Sequence, residues 1–214
     1  MYKIPQQYEK STFIFVCSTL CFGQVRAFYL TNNNIQREYY LHIPDNSPSN
    51  STLVFVLHVW GVSSEGIINI IEFNVLSDQN EFAVCYPRAM INGGDGNIGL
   101  TAWNLAGMVD VEFIESLTMF LQQEFQFDVT RIFAIGFSYG TEMVYHLAQY
   151  QTTNLFAAIN PFGGAMWSDL SECSPTFRTS VFILQGTNDN EFNYDGGYYS
   201  GVGIYYSVDE MLSF

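Results

Sequence analysis

Short apolar runs, each bounded by polar or turn-forming residues, recur along the chain. They are too short for helices and are typical of strands buried on both faces of a sheet. These runs lie at residues 53–59 (LVFVLHV), 82–86 (FAVCY), 132–135 (IFAI), 157–159 (AAI) and 181–184 (VFIL). An earlier segment, residues 36–43 (QREYYLHI), shows enough alternation of polar and apolar positions to predict one more strand.

Amphipathic segments separate these runs and predict helices at residues 66–77, 109–125 and 141–149. Asp110 and Glu112 fall in the first turn of the second helix, where negative charge is favourable. Buried strands that alternate with helices predict an α/β fold with a mainly parallel sheet covered by helices on both faces. The chain shows no internal repeat or linker, so a single domain is expected.

The N-terminus has the pattern of a secretory signal peptide over residues 1–27. Lys3 and Lys10 precede an apolar run at residues 12–22, and small residues follow at Gly23 and Ala27. The run is shorter than a membrane-spanning helix requires. We therefore expect a secreted or periplasmic protein whose catalytic domain covers residues 28–214, with a buried N-terminal strand as the alternative.

The charge balance limits the classes of partner. Seven Lys and Arg residues stand against 21 Asp and Glu residues, giving a formal net charge of -14. Such a charge repels phosphate backbones and anionic bilayers, so neither nucleic acid nor a membrane is an expected partner.

The cysteines and the glycine-rich segment do not suggest a cofactor. Cys17 and Cys21 belong to the predicted signal peptide, and Cys85 and Cys173 are able to form at most one disulfide. Cysteines and histidines show no metal-ligand spacing. The Gly-rich residues 90–104 lack a phosphate-binding pattern and are expected to line a substrate site. We predict no metal and no cofactor.

Residues 136–140 (GFSYG) contain the candidate nucleophile. The motif joins a predicted strand to a predicted helix, which is how a nucleophile elbow exposes a serine hydroxyl above the sheet. Gly136 and Gly140 flank Ser138 because a Cβ there would clash with neighbouring backbone. The N–H of Tyr139 is expected to face the oxyanion, whereas the alternative is a Gly-Ser turn that only joins the two elements.

Two further segments match this architecture. After the strand at residues 53–59, the N–H of Trp60 is the second expected oxyanion donor. Asp189 follows the strand at residues 181–184 and is the candidate triad acid, with Glu191 and Asp195 as fallbacks. The alternative for Asp189 is a carboxylate that merely caps a turn.

These segments resemble the secreted α/β-hydrolase esterases grouped with polyhydroxybutyrate depolymerases, feruloyl esterases and acetylxylan esterases. The similarity runs from about residue 36 to the C-terminus and is carried by REYYLHIP, LVFVLHVWG, FAVCYPRAM, TAWN, DVEFIESL, FDVTRIFAIGFSYG, FAAINPFGG and VFILQGTNDNEFNYDGG. It implies an ester hydrolase with Ser138 as nucleophile, Asp189 as acid, and Trp60 and Tyr139 as oxyanion donors. Val59 departs from the pattern, because these esterases usually have glycine there.

The catalytic base is the larger departure from the pattern of these esterases. The resemblance places a catalytic histidine after one more helix and strand, and residue 214 falls within what resembles that helix, so the expected fold is C-terminally incomplete with its last strand missing. His146 lies about 12 Å along its helix from Ser138, and His42 belongs to a remote strand. His58 is the candidate substitute base, against a structural histidine bonded to backbone.

We therefore predict a serine carboxylic-ester hydrolase acting through an acyl-enzyme on phenolic, acetyl-polysaccharide or polyester substrates. Trp60, Trp103 and Tyr139 are candidates for an aromatic substrate platform, and packing is the alternative for Trp103. Two other functions stay open: a binding protein of the same fold without turnover, and a serine peptidase. Self-association through an exposed sheet edge is also expected.

Overall fold

The computed structural model describes residues 25–90, 101–168 and 176–213. The strands are β1 (Arg26–Asn32), β2 (Ile35–His42), β3 (Leu53–Leu57), β4 (Ala83–Pro87), β5 (Ile132–Phe137), β6 (Ala158–Phe162), β7 (Ser180–Val181), β8 (Gly197–Tyr199) and β9 (Gly203–Tyr205). The helices are α1 (Ser64–Ile71), α2 (Phe73–Asn80), α3 (Val109–Phe125), α4 (Tyr139–Tyr150) and α5 (Val208–Met211).

A seven-stranded sheet organises the fold in the order β1-β2-β4-β3-β5-β6-β7. The pairs from β4 through β7 are parallel, whereas β1 with β2 and β2 with β4 are antiparallel. This mainly parallel sheet confirms the predicted fold class. Since the strand order brings the C-terminal ends of β3 and β5 side by side, residues that follow these two strands meet at one rim.

The apolar runs that form β3 and β4 are buried on both faces of the sheet, as expected, whereas the run at residues 181–184 is largely exposed. On β3, Leu53, Phe55 and Leu57 pack into a core that contains side chains of α3 and α4. The alternate residues Val54 and Val56 pack into a second core beneath α1. Successive side chains of a strand point to opposite faces, so a fully apolar strand requires helices on both sides.

The first strand lies where the sequence predicted the end of a signal peptide. Residues 1–24 are outside the described part of the chain, but Arg26 and Ala27 pair with Leu41 and Tyr40 in the β1–β2 hairpin. The turn uses Asn33 and Asn34 with φ of 49° and 62°, a pair of left-handed residues that suits a tight hairpin. The signal peptide stays a prediction, and its expected end after Ala27 falls within β1.

The helix predicted at residues 66–77 is two helices. Glu72 adopts a left-handed conformation with φ of 46° and ends α1, and α2 begins at the next residue. The apolar periodicity continues across this break, which is why the sequence pattern did not reveal it. The other two helices are present: α3 has the predicted bounds, and α4 is longer than predicted by two residues at its start and one at its end.

The strand predicted at residues 181–184 is only partly formed. Ser180 and Val181 pair with β6, and Leu184 makes an isolated bridge to Phe162. β7 lies at one edge of the described sheet, and Phe182 beside it is 67% exposed. Self-association through this edge stays a prediction.

Cys85 and the helices give two further observations. Cys85 is a fully buried free thiol on β4, and burial raises its pKa; Cys173 lies outside the described residues. Across residues 25–90, 101–168 and 176–213, no helix combines the length and apolar character needed to cross a bilayer.

Candidate active site

Ser138 occupies a strained turn between β5 and α4. Its backbone has φ of 49° and ψ of -115°, and α4 begins at the next residue. Few residues other than glycine or asparagine adopt positive φ, and such strain is concentrated at functional sites. The strand, turn and helix around Ser138 therefore have the geometry expected of a nucleophile elbow.

The two flanking glycines are required by close backbone contacts. A Cβ on Gly136 would lie 2.0 Å from the carbonyl oxygen of Gly140. A Cβ on Gly140 would lie 2.3 Å from the carbonyl oxygen of Leu57. Both distances are far below contact, which confirms the predicted steric reason for the G-x-S-x-G pattern.

Hydrogen bonds hold the turn to the neighbouring strand. The N–H of Ser138 donates to the carbonyl of Phe162 at 3.0 Å. The Thr141 hydroxyl lies 2.9 Å from the Gly136 carbonyl and accepts the Phe162 N–H at 3.0 Å. Thr141 of α4 therefore bonds to β5 before the turn and to the neighbouring strand β6, which holds the Ser138 backbone in place.

Ser138 opens into a cavity of about 1120 Å³ that collects most of the predicted site residues. Trp60, Tyr139 and Asp189 line the same cavity. Asp195, one of the two fallback acids, is exposed and is absent from the lining, whereas Glu191 is present. The topology therefore brings four residues together from three separate segments of the chain.

Asp189 is held by three hydrogen bonds. Its Oδ1 accepts the backbone N–H groups of Glu191 at 2.8 Å and Phe192 at 3.0 Å, and its Oδ2 accepts the Gln185 side-chain amide at 3.1 Å. The carboxylate thus caps the following turn, as the alternative interpretation stated, and also faces the cavity. These three donors fix the orientation of the carboxylate.

The loop after β3 supplies another part of the cavity wall, through Val59 and Trp60. The Gly61 N–H donates to the carbonyl of Thr101 at 2.9 Å, and the Thr101 hydroxyl donates to the carbonyl of Val62 at 3.0 Å. Trp60 is 45% exposed on this loop. The loop is therefore tied to residues 101–104, which begin the next described segment of the chain.

His58 is not positioned to act as a base. Its Nδ1–H donates to the Val59 carbonyl at 2.8 Å, and its Nε2 accepts the Ala89 N–H at 3.1 Å. Burial is the main cause that lowers its pKa, to about 4, although the bond to Val59 acts in the opposite direction. With both nitrogens engaged, His58 matches the structural alternative, and we do not retain it as the substitute base.

The other two histidines lie elsewhere. His42 on β2 bonds through Nε2 to Asp78 of α2 at 2.8 Å. His146 on α4 bonds through Nε2 to the Gly107 carbonyl at 3.1 Å and packs against Tyr150. The sequence contains three histidines, all of them in described segments, and none lines the cavity of Ser138.

We expect His58 to make folding sensitive to mild acid. The unfolded chain protonates this ring near pH 6.5, but the folded chain does so only near pH 4. The unfolded state therefore binds more protons between these values, and stability falls as the pH drops through that range, by about 3 kcal/mol in full. Urea unfolding of the unsubstituted chain and of His58→Asn from pH 7.5 to 4.5 measures this contribution to the free energy of unfolding. If that free energy falls equally with pH in both chains, the prediction is wrong.

Trp103 is buried rather than presented to the cavity as a platform. It contributes atoms to the cavity wall, but its side chain is 0% exposed. Its ring stacks on that of His58 at 4.7 Å, and its Nε1–H donates to the His58 carbonyl at 2.9 Å. These contacts favour the packing interpretation over the predicted substrate contact.

Several cavity residues were missed by sequence reasoning, among them Glu142, Trp167, Phe192 and Tyr199. Glu142 follows Ser138 by one helical turn, so the i, i+4 spacing was an available signal. Trp167 and Phe192 come from separate loops and Tyr199 ends β8, where the ring of Phe192 stacks on it at 5.4 Å. In the described segments, no three His, Cys, Asp or Glu side chains group as metal ligands.

The chain is similar in sequence to known esterases. The chain is 27% identical over 166 residues to a bifunctional acetylxylan esterase/xylanase from Neocallimastix patriciarum, covering 78% of the chain and 23% of that protein. It is 27% identical over 168 residues to a probable feruloyl esterase C from Aspergillus niger, covering 75% of the chain and 58% of that protein. The chain thus spans less than two thirds of these relatives' length. No protein-family model matches it.

The fold is shared with solved structures. An acetyl xylan esterase from Aspergillus awamori superposes with a TM-score of 0.55 at 21% identity, over 65% of this chain and 52% of that chain. At this level of identity, the likeness concerns the fold.

Proposed function

We propose that this chain, which has an α/β-hydrolase fold and is similar in sequence to known esterases, hydrolyses carboxylic esters through an acyl-enzyme on Ser138. One observation carries the proposal. Ser138 has strained backbone angles between β5 and α4, and it shares one cavity with Asp189, Trp60 and Tyr139.

The proposed reaction has two steps. The Ser138 hydroxyl attacks the ester carbonyl, its proton passes to a base, and the alcohol leaves after protonation by that base. Water, deprotonated by the same base, then attacks the acyl-enzyme; the bond between the acyl carbon and the Ser138 oxygen breaks, the carboxylic acid leaves, and the base returns the proton to the Ser138 oxygen. The amides of Trp60 and Tyr139 are the proposed donors to the oxyanion, and each such donor typically contributes about 10² to 10³ in turnover.

The base is an imidazole other than those of His42, His58 and His146. Each of these three rings has a bond to another partner, and none lines the cavity. We place the proposed imidazole between the Ser138 hydroxyl and the Asp189 carboxylate, whose three hydrogen bonds fix its direction. Added imidazole is then expected to stimulate ester hydrolysis by the chain.

Replacing Asp189 with asparagine tests this arrangement. The substitution is expected to lower the imidazole-dependent hydrolysis of p-nitrophenyl acetate by about tenfold or more, because the carboxylate no longer orients or stabilises the imidazolium. In an enzyme that uses its own histidine, the same substitution would lower the rate more, because the attached ring is held in the wrong tautomer. A free imidazole is able to reorient and present its other nitrogen. Rates are measured against imidazole concentration after subtraction of the protein-free reaction.

Asp195→Asn is the matched control. Asp195 is an exposed carboxylate of the same loop that does not line the cavity, so its loss leaves the rate unchanged. Equal rates in both variants would remove Asp189 from the mechanism.

The cavity wall favours uncharged, aromatic or ring-bearing substrates. Trp60, Trp167, Phe192 and Tyr199 supply rings, and the carboxylates of Glu142 and Glu191 repel anionic esters. We propose phenolic or acetyl-polysaccharide esters, for which the relatives are named, with polyesters as a third class. Rates on methyl ferulate, acetylated xylan and a hydroxybutyrate oligomer would rank them, and faster cleavage of a succinyl ester would contradict the charge argument.

A binding protein without turnover is the second candidate, because the cavity contains no histidine among the described residues. Imidazole-dependent turnover separates the two functions. Secretion stays a prediction, which N-terminal sequencing of the exported chain would test.

A further inference from the structure

Residues 101–104, here named the bridging segment, contact both proposed halves of the oxyanion site. On one side lies the loop after β3 that carries Trp60. On the other lies the turn that carries Ser138 and Tyr139. The proposed reaction requires the amides of Trp60 and Tyr139 to converge on one oxygen, so whatever fixes their separation affects the rate.

The contacts to the Trp60 loop come from two residues of the bridging segment. Thr101 bonds through its carbonyl and its hydroxyl to Gly61 and Val62, at 2.9 and 3.0 Å. Trp103 donates its Nε1–H to the His58 carbonyl at 2.9 Å and stacks on the His58 ring. Trp60 therefore lies between two anchored positions of its loop.

The bridging segment also contacts the nucleophile turn through a hydrogen bond. The Tyr139 hydroxyl donates to the Trp103 carbonyl at 3.2 Å. Trp103 therefore bonds through its side chain to one half of the site and through its backbone to the other.

A buried ion pair holds the bridging segment in place. The Asn104 N–H donates to Asp110 Oδ2 at 2.7 Å, and Asp110 Oδ1 pairs with Arg37 at 2.5 Å. Arg37 also donates to the Arg88 carbonyl at 3.1 Å. Asp110 and Arg37 are 0% and 4% exposed, so solvent does not weaken the pair.

We propose that Trp103 is a positioning residue that sets the spacing of the two oxyanion donors, with the Arg37–Asp110 pair as its anchor. The inference rests on the proposed esterase function. It assigns Trp103 a role through the amides of Trp60 and Tyr139 rather than through contact with substrate.

Tyr139→Phe is the sharpest test, because it removes the bond to the Trp103 carbonyl and leaves the Tyr139 amide in the chain. We expect kcat for imidazole-dependent hydrolysis of p-nitrophenyl acetate to fall about tenfold, and KM to stay within about twofold. This fall in kcat is smaller than the factor of about 10² to 10³ that follows the loss of a whole oxyanion donor. The dissociation constant of phenylboronic acid, a tetrahedral analogue, is expected to rise by the same factor. Trp103→Phe keeps an aromatic ring but loses the indole N–H. We expect it to change kcat, KM and the dissociation constant of phenylboronic acid in the same way.

Tyr86→Phe is the matched control. Tyr86 is a buried tyrosine in the core beneath α1, and its hydroxyl donates to Asn74 at 2.6 Å, away from the cavity. The control therefore loses one tyrosine hydrogen bond and the stability that goes with it, but keeps kcat, KM and boronate affinity within about twofold.

Two results would overturn the inference, and they are distinguishable. If the unsubstituted chain turns over ester but Tyr139→Phe and Trp103→Phe behave like Tyr86→Phe, the positioning role is wrong and the esterase function stands. If the unsubstituted chain shows no Ser138-dependent turnover, the esterase function is wrong and the inference is wrong with it.

Discussion

Replacing Ser138 with alanine is expected to remove the imidazole-dependent hydrolysis of p-nitrophenyl acetate. Less than about one hundredth of the increment, which is the rate increase that imidazole causes in the unsubstituted chain, should remain. The comparison must be made with imidazole present. A serine and its base act as a unit, so when the base is absent the loss of the hydroxyl adds little to a rate that is already low. Without imidazole, the chain and Ser138→Ala are therefore expected to differ little.

Ser168→Ala is the control for this prediction. Ser168 contributes to the same cavity wall, so its removal changes one hydroxyl there without touching the nucleophile turn. The increment is expected to survive in this variant. An increment that survives in Ser138→Ala would show that another group attacks the ester.

Replacing Gly136 with alanine is expected to destabilise the fold by about 3 kcal/mol or more, or to prevent folding. The new Cβ would lie 2.0 Å from the Gly140 carbonyl oxygen and 2.7 Å from the Thr141 nitrogen. These are backbone atoms of α4, so relief requires the helix to move away from β5 and distorts Ser138. Urea unfolding, or the yield of folded chain, measures the effect.

Gly107→Ala is the matched substitution. The nearest atoms to its new Cβ are those of the Asn104 side chain at 3.9 Å, an ordinary contact. Its stability is expected to stay within about 0.5 kcal/mol of the unsubstituted chain. Equal stabilities for the two glycine variants would mean that the turn does not have the tight geometry described.

The centre of the sheet was predictable because β3 and β4 are apolar on both faces. Residues 53–59 contain β3, although the strand ends at Leu57 so that His58 lies beyond it. β1 was missed because its residues adjoin a segment with signal-peptide character. The Asn33–Asn34 pair after it was a hairpin signal that the prediction did not use.

The elbow was predictable and most of the cavity was not. Ser138 and its glycines follow local backbone rules, so a short motif specifies them. Trp167 and Phe192 reach the cavity from loops whose paths depend on tertiary contacts, such as the stacking of Phe192 on Tyr199. The burial of Trp103 depends in the same way on a partner, His58, that lies far from it in the sequence.

The central claim is that the Ser138 hydroxyl is the nucleophile. It is tested most directly by treating the chain with a fluorophosphonate in the presence of imidazole, cutting with trypsin and locating the adduct by mass spectrometry. Ser138 lies in the peptide between Arg131 and Arg178. We expect one adduct per chain on Ser138, absent from Ser138→Ala; an adduct on another residue, or none on either chain, would contradict the assignment.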